Sequence, residues 1–84
     1  MTPALIKAMI EQDIAGAAAE VEGDDGVHFT ARIVYDGFQG LNAVKRHQLV
    51  YKALGGHMGQ AIHALSIQTY TREEWQRQQA SAGR

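Results

Sequence analysis

Val21-Glu22-Gly23-Asp24-Asp25-Gly26-Val27-His28-Phe29-Thr30-Ala31-Arg32-Ile33-Val34-Tyr35 is the stretch that decides the fold. Two β-prone runs flank Gly23-Asp24-Asp25-Gly26, residues that tolerate turn geometry, so the stretch reads as a hairpin. Along its second arm Val27, Phe29, Ala31, Ile33 and Tyr35 fall on one face, and His28, Thr30 and Arg32 on the other. The first face belongs to a core and the second is largely wet.

Before the hairpin, Leu5, Ile6, Met9, Ile10 and Ile14 recur at the spacing of one buried helical stripe. Thr2 suits the N-cap, Pro3 the first helical position and Gly16 a left-handed stop, which predicts a helix over 3–15. After the hairpin, Asp36-Gly37-Phe38-Gln39-Gly40 breaks the chain, and Ala43, His47, Val50, Leu54 and Met58 resume helical spacing. A second helix is expected over 43–54, stopped by Gly55-Gly56. Strand character returns from Ile62 to Tyr70, with His63, Leu65, Ile67 and Thr69 on one side. Thr71-Arg72-Glu73-Glu74 matches a capping box and opens a short last helix anchored by Trp75. The order α-β-β-α-β-α implies an α+β fold, a three-stranded sheet with helices packed on one face. Residues 1–76 are expected to form one domain, and the polar residues 77–84 a frayed tail.

Composition narrows the function. Eight Lys and Arg stand against nine Asp and Glu for a net charge of −1, so no overall positive field draws the chain to nucleic acid. No apolar run approaches the roughly 20 residues of a membrane span, and Met1-Thr2-Pro3-Ala4 lacks the features of a signal peptide. A soluble, cytoplasmic protein is expected. Cysteine is absent, which excludes intrachain disulfides and any metal site built on the chain's own thiolates.

Without thiolates, the metal-ligand candidates are the histidines at 28, 47, 57 and 63. None stands at a compact ligand spacing, so only the fold can bring a pair together. His63 shares a strand face with Leu65 and Ile67, which suits a packed imidazole; at the strand edge it also suits a ligand with one nitrogen exposed. His28 reads as a solvated side chain whose loop approaches His63 if the second and third strands are neighbours. His47 reads as packed on the second helix and His57 as a surface residue in a glycine-rich connection.

Lys45, Arg46 and Lys52 give the second helix a modest basic character, which suits a phosphate contact or an ordinary solvated face. Gly37-Phe38-Gln39-Gly40 has the form of a nucleotide-clamping GxxG loop, but it joins a strand to a helix and carries no cation. A chain reversal explains its glycines equally well. No G-x-S-x-G, H-E-x-x-H or phosphate-cradling loop is present, which disfavours an enzyme.

Phe38-Gln39-Gly40, Arg46-His47-Gln48-Leu49-Val50-Tyr51, Ile62-His63-Ala64-Leu65 and Tyr70-Thr71-Arg72-Glu73-Glu74-Trp75, taken in that order and spacing, resemble the signature of the BolA family. The Glu20-to-Asp24 run followed by His28-Phe29 looks like its small, acid-stress-associated IbaG branch. The resemblance implies a class II KH-like fold and a non-enzymatic adaptor in iron–sulfur trafficking or iron and stress regulation. It implies that a monothiol glutaredoxin is the partner and that a [2Fe–2S] cluster is shared with it, glutathione supplying a ligand. In such a pair His63 maps to the imidazole offered to the cluster, and His28 to the second ligand from the hairpin. Two other readings stay open: a nucleic-acid-binding transcriptional regulator using Lys45, Arg46 and Lys52, and an interaction module that works without metal.

Overall fold

Thr2 opens the first helix as its composition predicts, its hydroxyl accepting the Leu5 N–H at 3.2 Å with Pro3 next in line. The computed structural model describes residues 1–57 and 64–82. Among them lie α1 (Pro3–Asp13), β1 (Ala18–Glu22), β2 (His28–Val34), α2 (Ala43–Leu54), β3 (Ala64–Tyr70) and α3 (Arg72–Ala82). Short 3-10 turns occupy Asp36–Phe38 and Gly55–His57. The α-β-β-α-β-α order and the α+β class are those expected. None of the described helices is long and apolar enough to cross a membrane.

α1 ends two residues before the expected Ala15. The cause is Ile14, which is buried and whose carbonyl accepts the Ala17 N–H, so the chain turns through Gly16 at φ +90°. β1 in turn begins at Ala18 rather than Val21, pairing antiparallel with β2 from Ala18↔Val34 to Glu22↔Thr30. Alanine has little strand preference of its own, and tertiary pairing overrides it here. Glu11 and Lys7 of α1 reinforce this edge. Glu11 Oε2 accepts the Ala19 N–H at 2.9 Å, while Lys7 Nζ donates to Ala19 O at 2.6 Å and to Glu11 at 2.7 Å. Together they occupy a donor and an acceptor that an open sheet edge would leave free.

β2 and β3 run parallel, from His28↔Ala64 to Val34↔Tyr70, which requires the crossover that α2 supplies. The sheet order is β1-β2-β3. Phe29, Ala31 and Ile33 face a core completed by Ile6 and Ile10 of α1, by Ile14 just after it, and by Val50 and Leu54 of α2. α1 and α2 therefore cover one face. Phe38, which the sequence places in a break, is fully buried in the same core.

The last helix is longer than the short one expected. Its capping box is formed as predicted, with the Glu74 N–H donating to Thr71 Oγ1 at 3.2 Å and the Thr71 N–H to Glu74 Oε1 at 2.8 Å. The helix continues to Ala82, through a segment of good helix formers with Glu73 and Arg77 one turn apart. Trp75 also reaches the sheet face that α1 and α2 leave open. It packs against Tyr70 at 5.2 Å between ring centroids, and the Arg32 guanidinium lies 4.2 Å from its ring centre. Arg32 and Tyr70 both alternate with the core-facing residues of their strands, so this one side chain reaches the face opposite α1 and α2.

Candidate functional site

The hairpin turn is built around Asp25. Its Oδ1 accepts the N–H groups of Val27 at 2.9 Å and His28 at 2.8 Å, and its Oδ2 lies 2.7 Å from His28 Nδ1. These bonds from the His28 and Val27 backbone and from the imidazole hold the Asp25 carboxyl well below the usual carboxylate range. Gly23 closes the turn from the other side. A Cβ there would stand 2.6 Å from His28 O and 2.7 Å from Phe29 Cδ1, so only glycine allows this approach.

His28 thus projects from the first position of β2 on the wet face, its side chain 71% exposed. It borders a shallow concavity whose rim includes Pro3, Glu22, Asp24, Thr30, Ala64 and Ser66. Ala64 pairs with His28 in the sheet register, and its N–H reaches Val27 O at 3.4 Å. The neighbouring of the second and third strands, on which an approach of the hairpin toward the Ile62-His63-Ala64-Leu65 segment depended, is therefore met. His63 itself, the residue before Ala64 in sequence, lies outside the described residues, as does Met58. Among the described residues no three His, Cys, Asp or Glu side chains gather where a single metal ion would sit. His47 is half-buried on α2, in keeping with a packed side chain.

The basic residues separate. Lys45 and Lys52 are exposed on α2, whereas Arg46 turns inward with its side chain 12% exposed. Its guanidinium donates to Glu74 Oε1 at 2.7 Å and Oε2 at 3.1 Å and to Leu41 O at 2.9 Å, and it lies 5.5 Å from the centre of the Phe38 ring. Arg46 is a structural cation, committed before any phosphate arrives. The Arg46 hydrogen bond, with that of the Thr71 N–H, holds Glu74 down to about 2. The GxxG loop is likewise structural: Phe38 points into the core and packs edge-on against Tyr35 at 5.2 Å.

Asp25 escaped the sequence reading, although its signal was present. An Asp three residues before a His, in a turn, is spaced to bond both the His backbone and its ring.

Comparison with known proteins accords with this architecture. The family model for BolA-like proteins matches residues 5–74. The DNA-binding transcriptional regulator BolA of Vibrio cholerae is 38% identical over 74 residues, 88% of this chain and 66% of that protein. The chloroplastic protein BOLA1 of Arabidopsis thaliana is 49% identical over 51 residues, 61% of this chain and 32% of that protein. The alignments with these two relatives thus cover from about a third to two thirds of their length. Among solved structures, a bolA protein homologue from Coxiella burnetii superposes with a TM-score of 0.83 at 44% identity, covering 90% of this chain and 97% of that one. By its sequence, its element order and its superposition, this chain belongs to the BolA-like family.

Proposed function

We propose that this chain is a non-catalytic adaptor of the cytoplasm that pairs with a monothiol glutaredoxin and lends imidazoles, His63 and His28, to a shared [2Fe–2S] cluster. Glutathione completes the thiolate ligands, and the pair serves iron–sulfur trafficking or iron and stress regulation. The observation that carries this reading is His28: an exposed imidazole at the end of the sheet, its Nδ1 tied to a carboxylate, in register with the residue that follows His63. Carboxylate–imidazole pairing is the arrangement that orients histidine ligands in metal sites. The donor set agrees. A [2Fe–2S] cluster needs four ligands, and a chain with no cysteine has no thiolate to contribute, so the thiolates come from its companions. Imidazole in place of thiolate reduces negative charge at the cluster and raises its potential, as in Rieske centres.

The test is to co-purify the chain with a monothiol glutaredoxin and glutathione and to record visible absorption and circular dichroism. His63→Ala and His28→Ala are each expected to alter the cluster spectrum and to weaken the cluster-bound heterodimer. Unchanged spectra and unchanged heterodimer stability in both variants would remove the ligand assignment. Full-affinity pairing without cluster would favour a metal-free interaction module instead.

A second reading draws on the exposure of Lys45 and Lys52 and on the name of the Vibrio cholerae relative. In a nucleic-acid-binding regulator these lysines, seven residues apart on one side of α2, contact phosphates. Affinity for duplex DNA should then fall steeply with salt, and Lys45→Ala should flatten the slope by about one unit. Retardation indifferent to both changes rules this reading out.

A further inference from the structure

A neutral imidazole has two tautomers, and only the nitrogen without hydrogen can bind a metal. In a free histidine both forms are available. His28 is not free in this sense, because Asp25 Oδ2 lies 2.7 Å from its Nδ1. An ionised carboxylate only accepts hydrogen bonds, so this contact requires the hydrogen on Nδ1 and leaves the lone pair on Nε2. The same carboxylate, through Oδ1, accepts the His28 backbone N–H at 2.8 Å and that of Val27 at 2.9 Å. Ring and backbone of one residue are thereby referenced to a single planar group. The ring remains largely open to solvent, so the bond to Asp25 constrains the imidazole without burying it.

We propose that Asp25 is a positioning residue, which holds His28 in the Nδ1–H tautomer and presents Nε2 to an incoming metal. What Nε2 binds rests on the proposed function; the tautomer does not, and is a property of the chain alone. An Asp that merely closed the turn would need only Oδ1. The second oxygen, facing the ring, has no role in the turn.

Asp25→Asn separates the two roles. The amide oxygen can still accept the Val27 and His28 N–H groups, so the turn is retained. Facing the ring, however, an NH₂ donates where a carboxylate accepted. The favoured neutral ring then becomes Nε2–H, with its lone pair turned toward residue 25. Asp25→Ala removes both contacts and serves as the control for loss of the turn itself.

The experiment is long-range ¹H–¹⁵N correlation of the labelled chain alone at about pH 8.5, well above the ordinary imidazole range. In the parent chain His28 Nδ1 should resonate as the protonated nitrogen and Nε2 as the unprotonated one. In Asp25→Asn the order should reverse, while the backbone amides of Val27 and His28 stay near their parent positions. In Asp25→Ala the ring should shift toward the Nε2–H form that predominates in free histidine, and those amides should move. A parent ring already predominantly Nε2–H, or an order unchanged by Asp25→Asn with the turn intact, would overturn the proposal.

The cluster-loaded glutaredoxin complex supplies a separate reading. Asp25→Asn should lose the cluster to a competing chelator about tenfold or more faster, within the range found for partners of metal-bound histidines. If His28→Ala alters the cluster and Asp25→Asn does not, the positioning role falls while the ligand assignment stands. If neither alters it, His28 is not a ligand, and the tautomer measurement alone decides what Asp25 does to the ring.

Discussion

Replacing Phe38 by alanine should destabilise the domain by about 3–5 kcal/mol, the cost of deleting a fully buried aromatic ring and leaving its space unfilled. For a domain of this size that corresponds to a fall in melting temperature on the order of 15–25 °C. Phe38 is placed by a short 3-10 turn at the exit of β2, where it packs edge-on against Tyr35 and beneath the Arg46 guanidinium. Phe38→Leu, which keeps much of the apolar volume, should cost about 1–2 kcal/mol. Chemical denaturation of the three proteins checks the order. Equal stability of Phe38→Ala and the parent would mean that the turn is not docked as described.

Arg46→Ala should cost about 2–3 kcal/mol. The variant loses a forked ion pair with Glu74, leaves Leu41 O without its guanidinium donor, and separates α2 from the start of α3. The full penalty of breaking a buried pair is about 3–5 kcal/mol, but Glu74 is 35% exposed and regains water when its partner goes. The loss should depend on pH with a definite sign. Glu74 has a folded-state pKa of about 2 against an ordinary value of 4.5, so the unfolded chain takes up its proton first. Its contribution is complete above about pH 4.5 and disappears as pH falls toward 2. The stability gap between parent and Arg46→Ala should therefore be widest near neutrality and narrow through that window. A gap that stayed constant down to pH 2 would show that the pair contributes packing and not charge. Because Phe38 and Arg46 touch, their substitutions should not add, and the double variant should be less unstable than the sum of the two.

These two side chains also explain why the family was readable from short segments. Phe38, Arg46 and the Thr71–Glu74 box sit in three different segments of the resemblance, yet they meet at one junction, where Arg46 joins the core ring to the capping box of α3. Spacing in the sequence is there a record of contact in the fold. The junction says little about function directly: it fixes the end of β3 and the start of α3, and its arginine is withdrawn from the cations that a nucleic acid would meet.

Local chemistry was sufficient wherever the deciding interaction spans a few residues. The Thr2 cap, the helix over 43–54, the alternation along His28–Val34 and the box from Thr71 to Glu74 all depend on neighbours within a turn or a strand period, and each is present in the structure. Tertiary contact decided the rest. Ala18 and Ala19 are strand because β2 and the Lys7–Glu11 pair hold them there, Phe38 is core because its turn carries the ring into the buried cluster beside Tyr35 and Arg46, and Trp75 crosses to the other face because Tyr70 and Arg32 receive it. The candidate site divides along the same line. That no thiolate of the chain's own could ligate a metal, which made the histidines the natural candidates, followed from the lack of cysteine, whereas the tie between Asp25 and one ring nitrogen of His28 exists only once the turn brings carboxylate and imidazole within hydrogen-bond reach.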